Sequence, residues 1–512
     1  METLSFDALE RLNYSGYLLK DAPEKVLQFG EGNFLRAFVD RFFDIANERA
    51  GFNGKVVMVQ PIDGSYAFAD KINDQDCLYT VYLRGNEGGR EVDESRVISA
   101  CSRCLNPYRP DDYRALMDVA VSDALEIVVS NTTEAGIAYD PSCGPDDEPP
   151  ASFPAKLAQV LHARWEAKKP GVIVLSCELI DNNGAELLKI VERHAADWGW
   201  DEAFVRWLEE ECTFCTTLVD TIVPGRVSDA GEARALAVQR GYEDPFADVR
   251  EVFEMWGIQG DASLEERLPF SQAGLDGSVF VTPDVTPYKK RKVRILNGAH
   301  TGFVPGAWLA GFDIVRDAVN DEVVGGFMDA LLVREVIPTL SGDLDRCDLE
   351  RFAAAVRDRF SNPFIDHRLL SICLNSTAKW RARDLPTLLA YVEQEGSVPP
   401  CLATSLAALI AFYTTGIQGP QAFLDEDGLH LVRSNGDAYV AQDDSDVLRF
   451  YWDRRGADDG ALVADVLANE AFWGQDLTKV AGLEGAVADA LALIRTEGVP
   501  AAFASAQAQG EA

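Results

Sequence analysis

This 512-residue chain is short of positive charge: 47 lysines and arginines stand against 83 aspartates and glutamates, for a net charge of −36. Nucleic-acid binding needs a basic face, and anionic membrane surfaces recruit basic clusters, so neither is expected as a partner. An anionic substrate would need a local positive island in this negative field. Long apolar runs are also missing. The longest, near Leu402–Tyr413, is too short to span a bilayer. Met1–Asp7 has neither the basic nor the apolar stretch of a secretory signal, so a cytoplasmic location with reduced thiols is expected. No internal repeat is found.

The composition, 47% hydrophobic and 25% charged, is that of a soluble globular protein, and the length implies two or three domains. The first half alternates strands and helices. Lys25–Phe29, Lys55–Val59, Tyr79–Leu83, Glu126–Ser130 and Val172–Ser176 read as strands. Asn33–Arg49 has helical spacing, with Phe34, Phe38, Phe42 and Ile45 on one face, and Pro154–Ala167 reads as a second helix. Pro141–Pro150 is a surface loop, and Asp261–Ser278 is poorly periodic. This is the order of elements in a doubly wound α/β sheet, a Rossmann-like domain placed at residues 1–285. From about Pro287 helical periodicity dominates, at Gly302–Ala318, Glu322–Ile337, Leu349–Phe360, Leu385–Glu393, Cys401–Thr415, Ala461–Ala468 and Leu483–Thr496, with Leu429–Arg433 strand-like. Residues 286–512 are therefore expected to form a mostly α-helical domain. Its Ala- and Gln-rich tail, Ala501–Ala512, is expected to fray.

Gly30-Glu31-Gly32-Asn33-Phe34 follows the first strand and opens a helix. The first glycine permits a tight turn, and the second lets backbone approach a pyrophosphate at the helix N-terminus. Leu35 stands where a third glycine would be, and the segment also reads as an ordinary turn. Asp63, after the second strand, is placed to bind a ribose diol and repel a 2′-phosphate, favouring NAD; the alternative is a plain turn aspartate. Ser130 and Asn131 end a later strand, where polar groups reach the nicotinamide half of a cofactor.

Lys292-Val-Arg-Ile-Leu-Asn-Gly-Ala-His300 is a constellation suited to handling a carbonyl oxygen. A lysine can give or take a proton, while an amide and an imidazole can hold an oxygen as charge develops on it. A helix starting near Ile295 would put Asn297 and His300 one turn apart, with Lys292 in the preceding loop. Arg291 and Arg294 would lower the lysine's proton affinity. A solvated basic run and a packed histidine are the alternatives. The pairs Cys101/Cys104 and Cys212/Cys215 have zinc-knuckle spacing, but they also read as buried thiols, which is the reading adopted here, with no metal.

Several segments in order resemble the long-chain polyol dehydrogenases over nearly the whole chain: Gln28–Phe38, Asp74–Thr80, Ser130–Gly136, Cys177–Gly184, Leu218–Gly225, Lys292–Thr301 and Phe360–Asp366. The resemblance implies a zinc-independent, NAD-dependent oxidoreductase with Lys292 as acid/base. It implies that Asn297 and His300 hold the substrate oxygen, that Asn183 adds an oxyanion donor, and that Asp220 contacts substrate. Two departures stand out: Thr221 replaces the arginine that usually follows that aspartate, and Ser371 replaces an arginine eight residues before Lys379. The segments Met255–Gly260, Asn362–His367 and Ile372–Ser376 look most like the keto-hexuronate branch. They imply reduction of D-tagaturonate to D-altronate with NADH, the substrate carboxylate meeting Lys379, Arg359 or His367. Reduction of fructuronate or a mannitol-type ketose is the alternative within the class. A non-catalytic NAD-binding regulator is the alternative outside it.

Overall fold

The computed structural model describes residues 1–64 and 67–509. The chain divides into two compact units, Met1–Arg84 with Val92–Val285, and Gly85–Glu91 with Thr286–Ala512. No described helix is long and apolar enough to cross a membrane.

Among the described residues the first unit, with the hairpin tip that leaves it, holds twelve strands: β1 Glu24–Phe29, β2 Lys55–Val59, β3 Tyr79–Glu87, β4 Arg90–Ile98, β5 Cys101–Leu105, β6 Ile127–Ser130, β7 Ile173–Ser176, β8 Thr213–Asp220, β9 Gly225–Arg226, β10 Asp248–Arg250, β11 Met255–Gln259 and β12 Val279–Thr282. Eight form the main sheet, in the order β12-β11-β8-β7-β6-β1-β2-β5. Its neighbours are parallel except β8 and β11. The order runs outward from β1 in both directions, so the chain reverses its winding between β1 and β6. Open α/β sheets bind ligands at the carboxyl ends of the strands beside such a switch.

Alternation within these short strands supplies both faces. Val26, Val56, Met58, Val129 and Leu175 pack with Phe38, Phe42 and Ile45 on one side, joined by Phe34. Leu27, Val57, Val128 and Val174 pack with Leu157, Leu161 and Leu187 on the other. The phenylalanine face read from the sequence is therefore real, although its helix breaks at Phe38 (φ −113°, ψ −70°) into Asn33–Ala37 and Val39–Ala50. Tyr79–Leu83 departs from the expectation. It extends to Glu87 and joins a separate sheet, β4-β3-β10-β9, because its partners are its own hairpin and distant Asp248–Arg250.

In the second unit the Pro400–Thr414 helix is buried from Cys401 to Thr414, as a helix apolar all round must be. It packs against Gly298–Leu309, Leu483–Glu497 and Val499–Gln509. The tail does not fray through Gln509: Phe503 stacks on Phe327 (3.7 Å, 3°), and Val499, Ala502 and Ala506 are buried. Residues 510–512 lie outside the described residues. Leu429–Val432 is the centre of a three-stranded antiparallel sheet with Phe423–Leu424 and Ala438–Ala441. The hairpin tip Gly85–Glu91 docks on the end of the Arg346–Phe360 helix. There Gly88 N–H donates to Asp358 (2.7 Å) and Asn86 to the Ser361 carbonyl (2.9 Å).

Candidate active site

In the first unit the glycine turn sits at the switch point. Gly30 has φ +124°, and a Cβ there would lie 2.8 Å from the Asn131 carbonyl oxygen, so only glycine lets the β1 and β6 loops close on each other. Gly32 begins the next helix at an ordinary φ of −67°, and a Cβ built on it meets nothing within 4 Å. The approach to this helix start is therefore open. From below, Gln28 donates to the Gly30 carbonyl (3.1 Å), and Arg36 donates to Asn33 (2.8 Å) while paired with Asp248 (2.7 Å), both side chains fully buried. Phe34 leans on Phe38 (5.2 Å). Asp63 is exposed in the loop after β2. That loop is pinned by Lys156, whose ammonium donates to the carbonyls of Pro61 (2.9 Å) and Ala151 (2.7 Å) and to Tyr108 Oη (3.0 Å). Gln28, Arg36 and Lys156 carried no local sequence signal, since their partners are fixed by the sheet.

At the neighbouring strand ends Ser130 Oγ donates to buried Glu178 (3.1 Å), which also accepts from Thr132 N (3.0 Å). This clamp fixes the Ser130-Asn131-Thr132 turn. Next to it Thr133 sits at φ 68°, ψ 169°, a strained region for a residue with a side chain. Asn183 is engaged by backbone through both ends of its amide. Its amide hydrogens go to the carbonyls of Glu178 (2.9 Å) and Thr217 (3.0 Å), and its oxygen accepts from Gly184 N (2.8 Å) and Thr217 N (2.9 Å). Both donors are used, so Asn183 fixes the turn after β7 and has no hydrogen left for an oxyanion. Asp220 is buried at the carboxyl end of β8, opposite Met255. Thr221 donates to the Phe253 carbonyl (2.8 Å).

In the second unit the helix begins at Thr286, not near Ile295, and Lys292–Asn297 forms one π-helical segment that continues as the Gly298–Leu309 helix. Lys292 is therefore on the helix and not in a loop. The wider turn bonds residue i to i+5, so Lys292 and Asn297 bound one π turn and His300 follows in the next α-turn. Single π turns recur at functional sites for this reason. Arg291 is paired with Asp348, and Arg294 donates to Thr387 Oγ1 (2.9 Å), so both expected neighbours of Lys292 are engaged elsewhere.

The His300 ring stacks on Phe360 (3.9 Å, 16°) and stands edge-on to His367 (5.3 Å, 87°), and its buried Nε2 has no hydrogen-bond partner among the described residues. Burial holds the imidazole well below its usual proton affinity, and His367, Arg383, Arg359 and Lys379 push the same way. His300 is thus a neutral ring in a positive surround. Lys379 donates to the Ile372 carbonyl (2.9 Å), and its ammonium is lowered by burial and then by Arg383. Arg359 is buried in the last turn of its helix, Asp366 pairs with Arg316 (2.7 Å), and Ser371 is exposed. The structure thus brings His300, His367, Lys379 and Arg359 together, and adds Arg383.

The cysteine pairs do not meet: Cys101 and Cys104 lie on β5 and Cys215 on β8, with β2, β1, β6 and β7 between. At about 4.8 Å per strand that is on the order of 20 Å. Burial pushes the Cys212 and Cys215 thiols up to about 12. Among the described residues no three metal-ligating side chains cluster.

Residues 24–272 match the mannitol dehydrogenase Rossmann domain, and residues 284–495 match the mannitol dehydrogenase C-terminal domain. The altronate oxidoreductase of Yersinia enterocolitica is 42% identical over 509 residues, 97% of this chain and 100% of the relative. That of Klebsiella pneumoniae strain 342 is 42% identical over 502 residues, 96% of this chain and 98% of the relative. Among solved structures, a substrate-free D-sorbitol dehydrogenase has a TM-score of 0.78 at 24% identity, covering 98% of this chain and 100% of its own. Pseudomonas fluorescens mannitol 2-dehydrogenase, in ternary complex with NAD and D-mannitol, has a TM-score of 0.63 at 23% identity, covering 98% and 99%. These two share the fold.

Proposed function

The chain belongs to the mannitol dehydrogenase family, and from that premise we propose that it interconverts D-tagaturonate and D-altronate with NADH and NAD, without a metal. It is an oxidoreductase acting on CH–OH groups. The observation that carries the substrate class is the set of cations beside His300: Lys379, Arg383 and Arg359 gather, with His367 as a neutral ring among them, in a chain of net charge −36. Such a cluster suits a sugar acid, whose carboxylate can pair with it. The altronate oxidoreductases at 42% identity point to the same class.

When bound, NADH supplies the hydride to the ketone carbon. The protein's own part is proton handling and oxygen binding. Lys292 donates a proton to the oxygen as it becomes an alkoxide, and takes it back in oxidation. Asn297 and neutral His300 hold that oxygen through hydrogen bonds that strengthen as its charge grows. Lys379, Arg359 and His367 meet the carboxylate, and Asp220 accepts from a substrate hydroxyl. Gly30, Gly32, Asn33 and Phe34 form the phosphate turn, with Ser130 and Asn131 at the adjacent strand end. Asn183 is a positioning residue. Exposed Asp63 favours NAD by repelling a 2′-phosphate.

The test is NADH oxidation with D-tagaturonate, D-fructuronate and D-fructose in parallel, repeated with NADPH and with chelator. Preference for tagaturonate and NADH, unchanged by chelator, is expected. Preference for fructuronate keeps the chemistry and moves the substrate. Preference for fructose removes the carboxylate reading, and NADH binding without any turnover would leave a non-catalytic binder.

A further inference from the structure

We propose that Arg383 is the substrate-specificity residue of this chain, forming with Lys379 a two-pronged clamp for the carboxylate of the sugar acid. This deepens the keto-hexuronate reading above and rests on it. Lys379 and Arg383 lie four residues apart on the Ser376–Arg383 helix and so share one face, one turn apart. The helix cannot rotate to separate them from the site. Between them Trp380 is fully buried and donates from its indole to Ser405 Oγ (3.1 Å), and Thr377 N–H donates to Asp443 (3.0 Å).

The next turn of chain is drawn against the catalytic helix. A Cβ on Gly298 would lie 2.9 Å from Asp384 Oδ1, so glycine at 298 permits the approach. Arg383 then reaches across with one nitrogen, Nη1, to Thr301 Oγ1 (3.0 Å) and toward the Asn297 carbonyl (3.5 Å). Its Nε and Nη2 have no partner among the described residues, and neither Lys379 nor Arg383 forms an ion pair with any described carboxylate. Two adjacent cations repel each other, so side by side they are suited to an anion that bridges them. A guanidinium edge with two N–H groups in one plane matches a carboxylate in a way an ammonium does not. Of the nearby acids, Asp443 accepts from Thr377 N and Tyr413 and Asp366 pairs with Arg316, while buried Asp384 acts on Arg383 through space without forming an ion pair.

The experiment compares wild type with Arg383→Met, Arg383→Lys and Thr301→Val, measuring kcat and KM for D-tagaturonate and for D-fructose, which lacks the carboxylate. Arg383→Met is expected to raise KM for tagaturonate on the order of 10–100-fold, the range of a lost charge-assisted pair. Fructose turnover should change less than about threefold. Arg383→Lys should recover part of the loss. Thr301→Val removes only the helix-to-helix bond and should leave the tagaturonate KM near wild type. Equal losses on both substrates, or the same loss in Thr301→Val, would make Arg383 a structural strut and overturn the clamp while leaving the substrate reading intact. Wild type without preference for the acid would overturn the substrate reading, and the clamp with it.

Discussion

His300 lies flat on Phe360 at 3.9 Å and 16°, with its buried Nε2 left without a partner. Stacking fixes the ring plane, and an unsatisfied buried nitrogen costs about 1–3 kcal/mol unless a ligand completes it. His300→Phe keeps an aromatic ring against Phe360 and removes the nitrogen. It should fold normally and lose on the order of 10²–10³-fold in kcat, as for a lost oxyanion donor. Because burial and surrounding cations keep the ring neutral, no His300 ionisation should shape the wild-type rate between pH 6 and 8. Near-wild-type turnover in His300→Phe would remove His300 from the oxygen site.

Lys292 opens the π turn that ends at Asn297. Lys292→Met should retain NADH binding, followed by fluorescence, and lose on the order of 10²–10⁴-fold in kcat, the usual contribution of a positioned acid/base. The loss should hold at every pH, because no other group replaces the proton donor. If high pH restored the rate, solvent would be doing the work assigned to Lys292.

Local pattern revealed the parts of this molecule that local pattern determines. The runs at β1, β2, β6 and β7 are continuous and apolar because both sheet faces are covered, so their bounds were legible to within a residue or two. The π turn was not, since i+5 and i+4 spacing differ by one residue and packing against Arg346–Phe360 and Leu331–Val336 decides between them. The tail misled because its Ala and Gln composition is weakly apolar, yet Phe503 finds Phe327, 176 positions away. Arg383 was hidden in Trp380-Arg-Ala-Arg-Asp384, which reads as a solvated run until Trp380 is seen to be buried. Asn183 was read for its amide, and only the β7–β8 pairing shows that backbone claims all of it.

Gly30 and Gly32 should fail in different ways. Gly30→Ala forces φ +124° on a residue with a Cβ, and that Cβ meets Asn131 O at 2.8 Å. The strain alone costs about 1–3 kcal/mol, so thermal stability should fall. Gly32→Ala has an ordinary φ and open space, so its melting temperature should match wild type. Its NADH affinity should drop at least about tenfold, because the methyl occupies the phosphate approach. Calorimetry and NADH titration separate the two. Unchanged NADH affinity in Gly32→Ala would place the cofactor elsewhere.

Asp40 gives a pH signature of the scaffold beneath that turn. Its carboxyl is fully buried, and burial pushes it up to about 6 although Tyr79 Oη (2.8 Å), Gln28 Nε2 (3.4 Å) and Cys101 Sγ (3.4 Å) donate to it. The folded state therefore holds this proton more tightly than the unfolded chain, whose carboxyl lies near 3.8. Its stabilisation is fully present below about pH 4 and is lost as pH rises through about 6. Between pH 5.5 and 8 the loss from Asp40 is about 1 kcal/mol. Histidines act in the opposite sense: buried His194 and half-buried His300 and His367 are held below their usual value, so they cost stability as pH falls below about 6.5. The total slope mixes the two, but the difference between wild type and Asp40→Asn isolates the carboxyl. Urea unfolding at pH 5.5 and 8 should show the variant losing about 1 kcal/mol less than wild type across that interval. Parallel losses would mean that Asp40 is already charged at pH 5.5, its cavity more polar than three donors alone would make it.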